Sequence, residues 1–242
     1  MFTINHIKLE TINSTNDYTL SLKDSLVFKE GLLVTANFQT GGNGQRGKAW
    51  ESNANENLLL SVVIEPKLKL NKQSLISKIA ALSVCDLLKS LGIEALIKWP
   101  NDILVNKQKI AGILMQNKLQ GNYITHSVIG LGFNVNQLVF KSYFPKATSL
   151  SLQLNKEYEV LEIQEQFLSF LSTRLIRLKK GENQTNEYLK ALFQKDTPAA
   201  FESDNKQFMG IIKGVSESGK LLIQLEDDSI TAFENQQVKY LF

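Results

Sequence analysis

Two periodicities take turns along the chain: short apolar or alternating runs that read as strands, and apolar residues three or four apart that read as helices. Residues 2 to 9 and 32 to 38 are β-rich runs, and between them Asn16 to Leu26 is predicted to be helical, capped by Ser14 or Thr15. Leu58 to Ile64 is a further strand that ends near Pro66. Leu75, Ile76, Ile79, Leu82, Leu87, Leu88 and Leu91 keep helical spacing, with Ser74 as cap and Gly92 as stop. Strands are then predicted at Ala95 to Lys98, Ile103 to Val105, Ile110 to Met115 and Ile124 to Leu131, with Asn106 and Lys107 as a tight turn.

Glu157 to Lys179 reads as a long amphipathic helix and Asn186 to Gln194 as a shorter one, before Thr197-Pro198 breaks the pattern. From Gln207 onward the pattern is all β, with turns at Ser216 to Gly219 and Asp227-Asp228. The expected architecture is α/β (α+β): a mixed or antiparallel sheet flanked by helices over residues 1–195, and a small β-barrel over residues 196–242. The second piece is too short for a large core of its own and should dock on the first.

With 43% hydrophobic and 21% charged residues among 242, the composition is that of a globular protein. No run reaches the roughly 18 apolar residues of a membrane span, and the start, MFTINHIKLE, lacks the pattern of a signal peptide. A cytoplasmic protein without membrane contact is expected. One cysteine, Cys85, lies within an apolar pattern and is expected to be a buried small hydrophobe, which excludes disulfides and cysteine metal sites. Lys and Arg exceed Asp and Glu by only 27 to 24 and are scattered, so no nucleic-acid footprint appears. His6 and His126 sit in strand-like runs without partner motifs and are read as structural.

Gly42-Asn43-Gly44-Gln45-Arg46-Gly47 matches G-x-G-x-x-G, with Glu65 about 18 residues later, as a dinucleotide fingerprint asks. That fingerprint also needs a helix opening at the third glycine, whose N-terminus holds the pyrophosphate. The ten residues that follow, KAWESNANEN, carry three asparagines and lead into a strand, which argues against a dinucleotide crossover. A glycine loop carrying Arg46 and Lys48 fits better as a cover that closes over an anionic ligand.

Five segments, in order, resemble the biotin protein ligase family: Ser14-Thr15-Asn16, QTGGNGQRGKAW from Gln39 to Trp50, KWPND from Lys98 to Asp102, KIAGIL from Lys109 to Leu114, and GLGFNVN from Gly130 to Asn136. The sequence GIIKGVSESGKLLI is similar to that family's small carboxy-terminal domain. The resemblance implies a mixed sheet with a small barrel behind it, and an enzyme that makes biotinyl-AMP from biotin and ATP with Mg²⁺. It then transfers biotin to a lysine of a biotin carboxyl carrier domain. Repressor members carry a helix-turn-helix domain before the Ser-Thr-Asn segment; here that segment begins at Ser14, so no DNA binding is expected. A homodimer is an open assembly state.

By the same resemblance Ser14, Thr15, Asn16, Gln39, Gly42, Asn43, Gly44, Gln45, Lys109 and Gly112 bind biotin. Lys109, Asp102 and Arg46 are the catalytic set, Lys109 contacting both the biotin carboxylate and the α-phosphate. Arg46, Lys48, Trp50, Lys98, Asn101, Asn134 and Asn136 are expected to hold ATP, with Asp102 as the Mg²⁺ group, directly or through water. The chemistry agrees: two anions must be brought together and charge on phosphate oxygens stabilised, which calls for fixed cations and a hard oxygen. A compact ammonium suits Lys109, and a flat ring suits adenine at Trp50, whereas Trp99 is read as core. Arginines common in the family at positions 43 and 45 are replaced by Asn43 and Gln45, so Arg46 or Lys48 is expected to compensate in retaining the intermediate. Two alternatives stand: a lipoate or octanoate ligase of the same fold, and a biotin-binding regulatory module without turnover.

Overall fold

Every residue of Asn57–Ile64 is buried, as a strand covered on both faces requires. In the computed structural model, which describes residues 3–42, 44, 49–142 and 145–241, this run is the central strand β3. The other strands of its sheet are β1 (Asn5–Ile12), β2 (Leu32–Gln39), β4 (Leu68–Lys69), β5 (Leu96–Lys98), β6 (Asp102–Val105), β7 (Gln108–Gln120) and β8 (Tyr123–Asn134). Their order is β1-β2-β3-β8-β7-β6-β5, with β4 beside β8. β1 and β2 pair parallel and the remaining neighbours antiparallel, so the sheet is mixed.

Alternation along β3 sends its side chains to two cores. Leu58, Leu60, Val62 and Ile64 join the main core, which helices α2 (Ser74–Ser90) and α4 (Val160–Lys179) cover through Ile76, Ile79, Leu87, Phe167 and Leu171. Val63 faces the other side with Leu32, Val34 and Val128, where the short helix α1 (Thr15–Ser21) packs through Tyr18 and Leu20. Ser14 caps α1, its Oγ accepting from the Asp17 N–H at 3.3 Å. The helix ends earlier than the sequence pattern suggests, because turn bonds from Lys23 N to Leu20 O and Ser25 N to Leu22 O swing the chain toward β2 and bury Phe28.

The Asn106-Lys107 turn is present as read: both residues have positive φ (50° and 61°), the geometry of a two-residue hairpin, and join β6 to β7. β7 and β8 run longer than their apolar segments, since antiparallel pairing carries through polar residues to Gln120 and Tyr123. Two short helices, α3 (Leu150–Leu154) and α5 (Thr185–Lys190), complete the larger unit. Arg174 of α4 ties α2 to α5: it donates to both oxygens of Asp86 and to Gln184 and Glu187.

The remaining strands, β9 (Pro198–Ser203), β10 (Lys206–Val215), β11 (Leu221–Gln224), β12 (Ile230–Phe233) and β13 (Lys239–Leu241), form an antiparallel five-stranded sheet in the order β12-β11-β10-β9-β13. β9 precedes the expected start of the β region; Pro198 is tolerated as its first residue. This sheet is pinned to the larger one at its Ser216 to Gly219 turn. The Trp99 indole N–H donates to Gly219 O at 2.9 Å and Ser74 Oγ to Glu217 O at 2.6 Å. Among the described residues no helix is long and apolar enough to cross a membrane.

Candidate active site

On the α1 side of the sheet, side chains of β7 and β8 alternate toward a face where glycines recur. Gly112 pairs with Gly132 and Leu114 with Gly130 across the two strands. A Cβ on Gly132 would overlap the Trp50 indole, one on Gly112 would stand 3.0 Å from it, and one on Gly130 would overlap the Asn16 amide. Three glycines thus remove side chains where a ring and an amide must lie against backbone, leaving a trough. Above it opens a cleft of about 910 Å³, walled by α1, Gly44, Ala49 to Glu51, the β6–β7 hairpin and, from the smaller sheet, Val238 to Tyr240.

The hairpin supplies the charge. A register shift between Ile103 and Leu104 brings Asp102 opposite Gly112 and leaves Lys109 beside it. Lys109 Nζ lies 2.6 Å from Asp102 Oδ1 and 5.3 Å from the centre of the Trp50 ring. Lys98 Nζ is 3.8 Å from Asp102 Oδ2 and 5.1 Å from the Tyr240 ring centre. Lys109 and Lys98 thus bring two ammonium groups to this side of the cleft, where they favour anionic ligands. Burial first, then Tyr188 and Asp102, pushes the Tyr240 phenol above its ordinary range, so it stays protonated. Among the described residues no group of three or more His, Cys, Asp and Glu could hold a metal. Asp102, beside Lys98 and Lys109 on the hairpin wall, offers a carboxylate to a cation, which would take other ligands from phosphate and water.

At the α1 end the lining is neutral and polar. Ser14, Thr15 and Asn16 are buried, and Gln39 Oε1 accepts from the Thr15 N–H at 2.7 Å. Asn134 also lines the cleft; its Nδ2 donates to Thr148 O at 2.8 Å while its buried Oδ1 has no partner among the described residues. The Trp50 Nε1 is buried and unpartnered in the same sense.

The cleft therefore gathers Ser14, Thr15, Asn16, Gln39, Gly44, Trp50, Lys98, Asn101, Asp102, Lys109, Gly112 and Asn134 of the residues singled out by sequence. Asn101 also locks the hairpin, donating to Ile113 O at 2.7 Å. Gly42 stands just behind the wall: its carbonyl accepts from the Trp50 N–H at 2.7 Å and closes the base of the loop. Asn43, Gln45, Arg46 and Lys48 lie outside the described residues. Asn136 is the exception to the expected nucleotide set. It lines a second depression, and its amide is consumed locally, donating to Tyr158 O at 2.8 Å and accepting from Ser151 Oγ and Tyr158 N. Trp99 is buried, as read. Sequence reading missed Ser61 and Gln116, which bond to Thr15 and Asn16 from behind, and the Val238 to Tyr240 wall. Alternate-residue glycines at 130 and 132 were the available signal for the trough; nothing local marks the other groups.

A family model described as Biotin/lipoate A/B protein ligase family matches residues 9–134. Bifunctional ligase/repressor BirA of Bacillus subtilis (strain 168) is 37% identical over 109 residues, 45% of this chain but 34% of its own length, so the match spans about a third of that relative. Biotin--[acetyl-CoA-carboxylase] ligase of Paracoccus denitrificans is 26% identical over 228 residues, 89% of this chain and 92% of the relative. Among solved structures, biotin protein ligase from Aquifex aeolicus in complex with biotin and ATP has the same fold, with a TM-score of 0.79 over 98% of this chain and 99% of that one at 24% identity.

Proposed function

The chain belongs to the biotin/lipoate A/B protein ligase family, and from that premise we propose that it joins biotin to ATP as biotinyl-AMP and transfers biotin to a lysine of a biotin carboxyl carrier domain. The observation that carries this reading is the shared cleft: a Lys109–Asp102 pair at 2.6 Å on one wall, and the neutral polar groups of Ser14, Thr15 and Gln39 at the far end. A charged end and a hydrogen-bonding end, joined by an apolar glycine-floored stretch, match a vitamin with a carboxylate tail and a cyclic urea head.

In the first step a carboxylate oxygen forms a bond to the α-phosphorus, and the bond to the β-phosphate oxygen breaks with loss of pyrophosphate. Lys109 holds the two anions together and stabilises charge on the α-phosphate, while Asp102 keeps its ammonium in place. Lys98 adds a second cation, and Trp50 and Asn134 offer the adenine a ring face and an amide oxygen. Arg46 and Lys48 are assigned to the phosphates by resemblance alone. Mg²⁺ accompanying the nucleotide would neutralise phosphate charge, and Asp102 is the carboxylate placed to take it directly or through water. In the second step the acceptor amine loses a proton as it attacks the acyl carbon and AMP leaves; Asp102 is the nearby base.

The five-stranded sheet is read as a small barrel in outline, since Phe208 on β10 stacks on Phe233 of β12, two strands away, with ring centres 5.7 Å apart. The test of the function is biotin-dependent exchange of labelled pyrophosphate into ATP, run beside lipoate and octanoate, then labelling of a purified carrier domain. Exchange with lipoate or octanoate but not biotin would reassign the substrate. Biotin binding without exchange would make the protein a sensor.

A further inference from the structure

Two polar side chains stand directly behind the neutral end of the cleft without lining it. Ser61, wholly buried in the middle of β3, lies with its Oγ 2.5 Å from Asn16 Oδ1 and 2.9 Å from Thr15 Oγ1. Gln116, on β7, accepts from Asn16 Nδ2 through Oε1 at 2.9 Å. Gly130, opposite Ser61 on β8, is the gap into which the Asn16 amide fits.

The proton order in this network follows from the orientation of its two amides together with a count of donors. With the two amides oriented as they are, Gln116 Oε1 accepts from Asn16 Nδ2, which leaves Asn16 Oδ1 facing Ser61. A hydroxyl has one proton, and the shorter contact, to Asn16 Oδ1, takes that of Ser61. The Ser61 to Thr15 contact is then made by the Thr15 proton. Thr15 is left with lone pairs alone, in a residue that lines the cleft. Gln39, whose Oε1 is already occupied by the Thr15 N–H, keeps its Nε2 as the donor end. An acceptor and a donor side by side complement a ring that carries N–H and C=O groups.

We propose that Ser61 and Gln116 are positioning residues that set the direction of the hydrogen bond Thr15 offers beside the Gln39 donor, and so make this end of the cleft select a cyclic urea over a plain acyl chain. The inference rests on the ligase reading above and adds how the head group is chosen. Without Ser61 the Thr15 hydroxyl rotates freely and Asn16 Oδ1 loses its donor. Without the Gln116 carbonyl the Asn16 amide can turn over.

The test is steady-state pyrophosphate exchange with Ser61→Ala, Gln116→Met and Gln116→Glu, fitting biotin and ATP separately. Ser61→Ala and Gln116→Met should each raise the KM for biotin about tenfold, the effect of a lost or misdirected hydrogen bond, with kcat and the KM for ATP near wild type. Gln116→Glu puts an acceptor-only group where the Gln116 oxygen accepts and should bring the biotin KM back toward wild type from the Gln116→Met value, which a merely structural role at this position would not require. If Ser61→Ala does not fold, the Gln116 pair alone decides. Unchanged biotin KM in the variants that fold, or equal rises for biotin and ATP, or no rescue by Gln116→Glu, overturns the inference while leaving the ligase reading intact. No biotin-dependent exchange in the wild-type protein overturns that reading, and the inference with it.

Discussion

Replacing Lys109 by methionine separates stability from chemistry, because it keeps the stem that packs beside Trp50 and removes only the charge. The side chains of the Lys109–Asp102 pair are 29% and 18% exposed, and a partly solvated ion pair is worth about 0–1 kcal/mol. The ammonium lies 5.3 Å from the indole centre, a contact worth about 0.5–1 kcal/mol when partly exposed. Lys98, 3.8 Å from the other Asp102 oxygen, keeps that carboxylate from being stranded. The loss of folding free energy is therefore at most about 2 kcal/mol, or a fall in Tm of roughly 4–8 °C for a chain of this size. Activity should respond far more. Removing one fixed group that stabilises developing oxyanion charge lowers kcat about 10²- to 10³-fold, equivalent to about 2.7–4 kcal/mol. The assay is biotin-dependent pyrophosphate exchange at a temperature well below the variant's own Tm, with circular dichroism to confirm folding. Exchange within about threefold of wild type by a folded variant would show that Lys109 does not act on the reacting groups.

Three further outcomes are expected. Gly132→Ala should push the indole by about 1 Å to restore ordinary carbon contact, shifting Trp50 fluorescence and raising the KM for ATP roughly three- to tenfold; an unshifted emission spectrum would refute the contact. Hydrogen bonds from Arg177 above all, and from Arg174, hold the Glu187 carboxyl at about 2, below its ordinary 4.5. A depressed carboxylate contributes stability that is complete above 4.5 and lost as pH falls toward 2. Glu187→Gln should accordingly flatten the fall of Tm with pH across that window, and parallel profiles for the two proteins would contradict the assignment. Cys85 is half-buried rather than fully buried, and desolvation pushes its thiol up to about 12, so a disulfide reagent at about pH 8 should label it much more slowly than after denaturant is added.

The sequence was most informative where local chemistry and structure coincide. The Asn106-Lys107 turn was readable from an asparagine between two apolar runs, and the buried strand over Leu58 to Ile64 from its largely apolar character. The site was legible as a set of motifs, because each carries a side chain whose chemistry is distinctive, such as Lys109 or Trp50. Asn136 misled for the same reason: an amide after a glycine turn looks available to a ligand, yet its hydrogen bonds go to Tyr158 and Ser151, more than ten residues downstream. Ser61 was invisible because a lone serine in an apolar strand gains meaning only from Thr15 and Asn16, some 45 residues away. The docking of the carboxy-terminal sheet through Trp99 and Gly219 spans 120 positions and was equally beyond any local pattern.

A binding floor made of main chain rather than side chains has a practical consequence for redesign. At Gly112, Gly130 and Gly132 there is nothing to trim, and adding even a methyl group at 130 or 132 strikes an amide or an indole already in place. Any attempt to admit a bulkier or differently shaped acid must work from the sides, at positions such as Leu114. The depth of the groove belongs to the strands themselves and will not yield to single substitutions.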